Sequence, residues 1–408
     1  MRLLRIINYD ESLESPESPE RILKIIDANT PDESTDPPEI LKQILKLSLV
    51  NFSGKVVPPY AILSHRWGHS EVSFKDIEEN NYRVKGEGCQ KIKFCAKQAK
   101  KDGLEYFWID TCCIDKRDQL ELSTAINSMY EWYRDAERCY AYLADYEVGC
   151  GILFEESIWF TRGWTLQELV APDIVEFYDT KWRALGTKKT KQNEIASTTG
   201  IASEILVEPN KIKKATVRQR MSWCSTRTVT TPEDIAYSLL GIFNINMPLL
   251  YGEGQQRAFH RLQEEIIRYS DDHSIFAWKR QLNGKSGTSV FADSPDCFRH
   301  PVKCSYRPDP GNLQPYQLTN KGLSISLRLL QVQDPDKMND KKCPELDKWD
   351  FIASLDCPLD ANSVVGIYLK CSDEQAGQFH RVKQDKLCSI PTNNRGTARR
   401  IFVCHRII

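Results

Sequence analysis

Between Tyr60 and Asp179, four short runs that pass from apolar to polar residues alternate with segments of helical spacing. The runs are YAILSHRWG, LEYFWIDTCCIDK, RCYAYLAD and DIVEFYD. Strands that are apolar on both faces and alternate with helices are typical of a parallel sheet covered on both sides. This pattern predicts a β-α-β-α-β-α-β domain, and no other feature of the chain limits the fold as strongly.

Polar residues follow the first two predicted strands, at the sheet edge where parallel sheets bind ligands. Ser64, His65, Arg66 and Trp67 end the first run, and Asp110 ends the apolar part of the second. An arginine can hold a phosphate through two hydrogen bonds, and a tryptophan offers a face for stacking. Asp110 is a candidate to hold a ribose hydroxyl or to orient His65. An anionic ligand is therefore expected here, with ordinary connecting loops as the alternative interpretation.

The segment RGWTLQELVAP, residues 162–172, leads into the fourth run and contains one carboxylate, Glu168. On a helical wheel Leu166, Leu169 and Val170 share one arc, whereas Trp164 and Glu168 lie together on another. A carboxylate that is partly desolvated beside an aromatic ring can have a raised pKa or bind hydroxyl groups. Glu168 is thus a candidate catalytic residue and Trp164 a candidate ligand contact. The alternative is a glutamate that simply reaches water.

Other chemistries have weaker support in the sequence. The chain has 14 cysteines, with no pair of CxxC motifs, and its seven histidines are dispersed, so neither a zinc site nor a disulfide framework is expected. Cys112 with His65 is a conceivable nucleophile pair, but small buried side chains are the favoured interpretation of the cysteines. No GxGxxG follows a predicted strand and no P-loop motif occurs, which argues against a dehydrogenase or a P-loop NTPase.

The rest of the chain differs in character from this central part. Residues 1–55 are predicted to be peripheral, with acidic, proline-rich loops at 10–20 and 29–39 and a short amphipathic helix at 40–50. We predict the main domain at 56–280, with an α/β core at about 56–185 and a helical part at about 186–280. Residues 281–408 contain short alternating runs that predict a C-terminal antiparallel β domain.

Composition limits the class of protein and its partners. A chain of 408 residues that is 41% hydrophobic and 27% charged reads as globular, and its net charge of −1 gives no general attraction to nucleic acid or anionic lipid. No run approaches the ~20 apolar residues of a membrane span. The N-terminus turns acidic before a secretory apolar region could form. A cytoplasmic protein without a membrane span or bound nucleic acid is therefore expected.

Seven motifs occur in a fixed order from Pro58 to Trp278. They are PPYAILSHRWG, GLEYFWIDTCCIDK, AINSMYEWYRDAERCYAYLAD, WFTRGWTLQELVAP, RMSWCSTRTVTTPEDIAYSLLGIF, NMPLLYGEG and SDDHSIFAW. Together they closely resemble the heterokaryon incompatibility (HET) domain family of filamentous fungi. The resemblance implies a role in self/non-self recognition after hyphal fusion that ends in programmed cell death. It also implies protein partners or self-assembly.

A more distant resemblance concerns the Toll/interleukin-1 receptor (TIR) domains. Their first strand ends in Ser-aromatic-Arg, similar to Ser64, His65 and Arg66, and a later helix carries Trp-Cys-x-x-Glu-Leu, similar to Trp164 through Leu169. Thr165 replaces the motif cysteine and His65 replaces the aromatic residue. Several TIR domains cleave NAD with that glutamate. This resemblance implies a TIR-like, flavodoxin-type parallel sheet and NAD as substrate, with no resident cofactor.

Two functions from different classes remain open at this point. One is a death effector that hydrolyses NAD or a related nucleotide through Glu168, because a carboxylate near the ribose can stabilise an oxocarbenium-like state. The other is a non-catalytic signalling module that acts by homotypic assembly and partner recruitment. The sequence leaves open whether the chain is an enzyme.

Overall fold

A computed structural model describes residues 1–7, 22–25, 45–79, 86–280, 287–302, 304–305, 315–331 and 350–405. It divides into two compact units, Met1–Asn210 and Lys211–Ile408. The domain boundaries predicted after residues 55 and 280 differ from this division and stay predictions. The predicted loops at 10–20 and 29–39 lie outside the described residues.

In the first unit, eight of the described strands form a mixed sheet. Its strands are β1 (Arg2–Ile6), β2 (Ile22–Ile25), β3 (Leu45–Asn51), β4 (Tyr60–His65), β5 (Tyr106–Trp108), β6 (Arg138–Tyr142), β7 (Val175–Tyr178) and β8 (Ala184–Thr187). Their order in the sheet is β2-β3-β1-β5-β4-β6-β7-β8. The strands β5-β4-β6-β7 pair in parallel, and the flanking strands join antiparallel.

The four parallel strands confirm the predicted alternation of strands and helices. Numbered along the chain they lie in the order 2-1-3-4, in which the direction of winding reverses between β4 and β6. A flavodoxin-type sheet begins with this order, and it binds ligands at that switch point. The mixed α/β class is therefore confirmed, whereas the TIR-like relationship stays a prediction.

Helices connect the parallel strands and continue after β8. They are α1 (Phe74–Glu78) and α2 (Glu87–Lys101) before β5, α3 (Asp110–Cys113) and α4 (Gln119–Arg134) before β6, α5 (Thr165–Val170) before β7, and α6 (Gln192–Thr199) and α7 (Ser203–Val207) after β8. Short 3₁₀ helices lie at Phe154–Glu156, Ile158–Thr161, Pro209–Lys214, His273–Phe276, Pro295–Phe298 and Thr392–Asn394. No helix of the described ranges is long and apolar enough to cross a membrane.

The helix predicted at 40–50 is wrong over the part that the structure describes, because Leu45–Asn51 is strand β3. Leu47 and Leu49 alternate with polar residues, and β3 pairs with β1 so that Leu49 lies opposite Leu4. Leu4 in turn lies opposite Phe107 of β5. Pairing with β1 favours the two-residue period of a strand over the helical period. The segment predicted to be peripheral therefore extends the central sheet.

The second unit begins with helices and ends in a sheet. The helices are α8 (Val217–Ser222), α9 (Asp234–Tyr237), α10 (Leu240–Phe243) and α11 (Gln255–Tyr269). The strands are β9 (Gln317–Thr319), β10 (Gly322–Gln331), β11 (Asp350–Pro358), β12 (Ser363–Asp373), β13 (Gln378–Arg381), β14 (Cys388–Pro391) and β15 (Thr397–Val403).

The seven strands described in the second unit form one sheet that closes on itself. The order is β11-β10-β15-β13-β12-β14, β9 pairs with β10, and β11 also pairs with β12. All pairs are antiparallel except β13 with β15. The predicted antiparallel β domain is thus confirmed in its class, with one parallel pair that the alternating pattern did not reveal.

A buried arginine ties β13 to the chain segment that precedes the sheet. Arg381 is 1% exposed, and its guanidinium donates to the carbonyl oxygens of Phe276 at 2.9 Å and Trp278 at 2.7 Å. The guanidinium also lies 3.7 Å from the centroid of the Trp278 ring. Burial lowers the pKa of Arg381 to about 9, which reflects the cost of keeping this charge away from water.

We expect Arg381→Met to lower the free energy of unfolding by about 2–4 kcal/mol, because the substitution leaves two buried carbonyl groups without a donor. Urea unfolding monitored by tryptophan fluorescence measures the change. Arg399→Met is the matched control, because Arg399 lies exposed on β15. Equal effects of the two substitutions would contradict a structural role for Arg381.

Candidate functional site

The candidate site lies at the carboxyl end of β4, beside the switch point. All six residues of β4 are buried, and Ser64 and His65 are its last two. Ser64 lies opposite Ala141 of the parallel neighbour β6. Because parallel strands end at the same edge of the sheet, residues after β4, β5 and β6 can meet there.

Glu168 is joined to Ser64 by a buried hydrogen-bond chain. The Trp159 indole donates to Ser64 Oγ at 2.9 Å, and Ser64 Oγ donates to Glu168 Oε2 at 2.5 Å. We call these three residues the carboxylate network. Trp159 is 1%, Ser64 0% and Glu168 6% exposed, so the chain runs in a low-dielectric interior. Hydrogen bonds in such surroundings strengthen one another and hold the carboxylate in one orientation.

Tyr133 of α4 completes the surroundings of the carboxylate. Its hydroxyl donates to the Leu63 carbonyl oxygen at 2.9 Å. Burial, followed by the negative charge of Glu168, raises the pKa of Tyr133 well above its usual value. The phenol therefore stays neutral beside Glu168 and remains a hydrogen-bond donor.

The helix that carries Glu168, α5, is buried along its whole length. Leu166, Leu169 and Val170 are buried as predicted, and Glu168 is buried with them. The alternative that Glu168 simply reaches water is therefore wrong. Trp164 is half-buried at the residue before the helix.

A buried lysine fixes the carboxyl end of α5. Lys188 is 1% exposed, and its ammonium donates to the carbonyl oxygen of Leu169 at 3.1 Å and to that of Pro172. A cation at a helix C-terminus satisfies carbonyl groups that have no partner within the helix. Burial lowers the pKa of Lys188 to about 8. Lys188 therefore helps to position Glu168 from the far end of its helix.

His65 lies between two carboxylates at the mouth of the strand. Its Nε2 is 3.6 Å from Glu71 Oε2 and its Nδ1 is 3.9 Å from Asp110 Oδ1. The side chain of His65 is 1% exposed, and within the described ranges neither ring nitrogen has a hydrogen-bond partner. His65 and Asp110 thus lie near each other, and the roles predicted for Asp110, to orient His65 or to hold a ribose hydroxyl, stay predictions.

Glu71 and Lys91 anchor the chain that follows His65. Lys91 Nζ lies 2.5 Å from Glu71 Oε1 and donates to the Arg66 carbonyl oxygen at 3.1 Å. The Gly68 amide donates to the same Glu71 oxygen at 2.7 Å. Burial acts to raise the pKa of Glu71, but His65, the Gly68 amide and Lys91 outweigh it and lower the pKa to about 2. The loop 65–68 is therefore held by a carboxylate that stays ionised at neutral pH.

A close backbone contact brings Lys91 to this loop. Gly88, in the first turn of α2, donates its amide to the Ser70 carbonyl oxygen at 3.0 Å. A Cβ at this position would lie 2.6 Å from that oxygen and 2.7 Å from the Val72 nitrogen. Only glycine allows α2 to approach the loop this closely, and Lys91 follows one turn later.

Trp67 and Arg66 face solvent at the rim of the site. Trp67 is 55% exposed, and its indole donates to Asp110 Oδ2 at 2.8 Å. The Lys116 ammonium lies 3.5 Å from the Trp67 ring centroid and 3.7 Å from the same carboxylate oxygen. Arg66 is exposed. The rim thus offers two cations and an aromatic face to a ligand, although Lys116 covers one side of that face.

Cys112 does not have the properties of a nucleophile. It is fully buried on α3, and its interaction with the Cys113 thiol, followed by burial, raises its pKa well above the usual value. A thiol attacks as its thiolate, which such a pKa suppresses. Within the described ranges no group of three or more His, Cys, Asp or Glu residues is arranged to hold a metal ion.

Several residues of the site carry weak sequence signals. Trp159, Tyr133 and Glu71 reach it from segments where aromatic and acidic residues are common. Lys91 has a clearer signal, because it lies four residues before Cys95 on the apolar face of α2 and is 1% exposed. A lysine on an apolar face indicates a buried cation that needs a partner.

Comparison with known protein families gives two matches. Residues 60–153 match the model described as heterokaryon incompatibility protein (HET), and residues 257–309 match a domain of unknown function, DUF8212. The first range includes Ser64, His65, Arg66, Trp67 and Asp110, and it ends before Trp164 and Glu168. No solved structure is significantly similar to this chain.

Among curated proteins, the chain is similar to vegetative incompatibility protein HET-E-1 of Podospora anserina. The two are 47% identical over 225 residues, which cover 52% of this chain and 16% of the relative. The chain thus spans a small part of the length of that relative. Over residues 60–153 this chain is therefore similar to the heterokaryon incompatibility (HET) family.

Proposed function

We propose that the chain acts in vegetative incompatibility as an effector of cell death that cleaves NAD, or a related nucleotide, through Glu168. The observation that carries the proposal is the buried Ser64–Glu168 hydrogen bond, which holds a carboxylate at the carboxyl end of β4. This edge of a sheet with the order 2-1-3-4 is where such folds bind nucleotides. The name of the Podospora relative supports the biological role.

The chemistry needs few groups. Cleavage of the nicotinamide–ribose bond passes through an oxocarbenium-like state, which an oriented carboxylate stabilises by its charge and by bonds to ribose hydroxyls. Nicotinamide leaves as a neutral molecule, so a strong general acid is not required. Arg66 would meet the diphosphate, and Trp67 would stack against a ring of the ligand.

The burial of Glu168 sets a condition on this activity. With 6% of the residue exposed, a ribose can reach the carboxylate only after the surrounding side chains move. Assembly with a partner or with further copies of the chain would supply that rearrangement. An activity that depends on protein concentration is therefore part of the proposal.

The same burial supports the second candidate, a non-catalytic signalling module. In that case the carboxylate network is a structural link between β4 and α5, and the domain acts by homotypic contact and recruitment. The two candidates differ in whether the negative charge of Glu168 is needed for function, so one substitution separates them.

Glu168→Gln keeps the side-chain shape and an acceptor for Ser64 but removes the charge. We expect it to lower nicotinamide release from NAD by at least about 100-fold, because transition-state stabilisation by the carboxylate is lost. Purified full-length protein is assayed from low to high concentration, with the melting temperature measured in parallel. Glu204→Gln, at an exposed glutamate of α7, is the matched control.

Toxicity in fungal cells gives the opposing outcome. Undiminished cell death with a folded Glu168→Gln protein would reject the enzymatic proposal and favour the signalling module. Loss of both nicotinamide release and toxicity, with Glu204→Gln unaffected, would reject the signalling module.

The contacts of Glu71 with the loop 65–68 predict that the stability of the protein depends on pH. The folded-state pKa of Glu71, about 2, lies below its ordinary value of 4.5, so its contribution to stability is complete above pH 4.5 and is lost as the pH falls toward 2. This contribution is at most about 3 kcal/mol. We expect Glu71→Gln to be less stable than wild type at pH 6, and the difference to shrink at pH 3.

Urea unfolding from pH 6 to pH 3 measures this difference. Glu79→Gln is the control, since Glu79 is an exposed residue that forms a surface ion pair with Lys75. A difference between wild type and Glu71→Gln that stays constant over this range would show that the ionised carboxylate does not hold the loop.

A further inference from the structure

Two cysteines of the second unit lie side by side although they are distant in the chain. The Ser305 amide donates to the Pro358 carbonyl oxygen at 3.2 Å, which brings their neighbours Cys304 and Cys357 together at the end of β11. Cys304 is 6% and Cys357 0% exposed. Their thiols are close enough to interact as hydrogen-bond partners. Both are free cysteines in this structure.

The charge of a buried arginine acts on both thiols. Arg218 of α8 is 3% exposed, and its guanidinium donates to the carbonyl oxygens of Ala277 at 2.7 Å and Phe298 at 3.4 Å, and to that of His300. Among the residues that the structure describes, Arg218 has no carboxylate within ion-pair distance. Burial lowers its pKa, and the groups that oppose this effect are the thiols of Cys304 and Cys357. A negative charge on either sulfur would therefore be stabilised by Arg218.

The two thiols differ in their tendency to ionise. The hydrogen bond with Cys357 lowers the pKa of Cys304, burial opposes it, and the charge of Arg218 lowers it further. Burial raises the pKa of Cys357 well above its usual value, and the nearby carboxylates of Asp272 and Asp356 act in the same direction. The two pKa shifts run in opposite directions, and Cys304 is the one of the two that lines a cavity, so Cys304 is the candidate attacking thiol.

The attacking thiol also has a route to small molecules. Cys304 and Ser305 line a cavity of about 380 Å³, together with residues 213–216 and 270–272. Asp272, which borders the cavity, is occupied as a cap and accepts from the amides of Val217 at 2.7 Å and Ser274 at 2.9 Å. The cavity can admit a hydroperoxide, which is far smaller than its volume.

We propose that Cys304 and Cys357 form a redox-active pair that hydrogen peroxide or a similar hydroperoxide converts into an intrachain disulfide. The Cys304 thiolate attacks one peroxide oxygen, the O–O bond breaks, and the second oxygen leaves as hydroxide that takes up a proton. The sulfur has then lost two electrons to the peroxide and is a sulfenic acid. The Cys357 sulfur next attacks Cys304 Sγ, the S–O bond breaks, and the hydroxyl group leaves with the Cys357 proton as water.

This inference is independent of the function proposed for the first unit. The disulfide would tie the segment of Cys304 and Ser305 covalently to the end of β11. A thiol reductant would reverse it, so the pair would report the oxidation state of its surroundings.

The test uses the reduced full-length protein and hydrogen peroxide from one to ten equivalents. Remaining thiols are alkylated, and peptides are mapped by mass spectrometry. We expect a peptide pair joined through Cys304 and Cys357, two hydrogens lighter than the reduced pair and restored by dithiothreitol. Cys112 and Cys113, adjacent in sequence and both buried, are the internal control and should stay reduced.

Alkylation rates provide a second measurement at neutral pH. Cys224 is buried with its pKa raised to about 12, so Cys304 should react at least about 30-fold faster than Cys224. Equal rates at Cys304 and Cys224 would contradict an activated thiol at Cys304.

Substitutions separate the attacking role of Cys304 from the role of Cys357, which closes the disulfide. Cys357→Ser should stop the reaction at a Cys304 sulfenic acid that a dimedone probe captures, and Cys304→Ser should abolish the disulfide. Cys224→Ser is the matched control and should leave it unchanged. If peroxide oxidises the exposed Cys150 while Cys304 and Cys357 stay reduced in wild type, the proposal is rejected. A disulfide from Cys304 to any other cysteine would reject it as well.

Discussion

The hydrogen bond from Ser64 to Glu168 is the interaction on which the rest of the first unit's site depends. It joins the end of the central strand β4 to the carboxylate of Glu168 on α5, in an interior where an unpaired polar group would be costly. The Trp159 indole fixes the serine hydroxyl, and Lys188 fixes the far end of α5. Each partner restricts the next, so the position of the carboxylate follows from the packing of the sheet.

Two kinds of interaction hold the site in place at this edge of the sheet. The carboxylate network is buried and closed to solvent. The loop after His65 is held instead by the ion pair of Glu71 with Lys91, and it presents Arg66 and Trp67 outward. A buried carboxylate held in one position and an exposed rim with a cation and an aromatic ring suit a ligand that has both a polar group and a ring.

The sequence predicts the strands of the parallel core well, because β4, β6 and β7 are short, apolar on both faces and separated by helical segments. It also predicts Ser64 near the end of β4, since a run that turns polar ends a buried strand, whereas Asp110 begins helix α3 two residues after β5. It does not predict β3. The leucines of this segment fit a period of two and a helical period about equally well, and only the pairing with β1 decides between strand and helix.

The partners of the site are less accessible to prediction. Lys91 and Glu71 meet because Gly88 allows a close backbone approach, a three-dimensional coincidence that no local pattern encodes. The same holds for Trp159, which reaches Ser64 from a 3₁₀ turn that precedes α5. Periodicity reports which side of an element is buried, but the choice of partner across the core depends on tertiary packing.

The contact between Lys116 and Trp67 has a consequence for any ring that stacks on that side of the indole. The ammonium occupies the face at 3.5 Å and is held there by Asp110 at 3.7 Å, so the incoming ring competes with a group of the protein itself. Its apparent dissociation constant equals the intrinsic one divided by the fraction of molecules in which the face is vacant. A positively charged ring loses the least affinity in this competition, because it can take the place of the ammonium beside both the indole and the carboxylate.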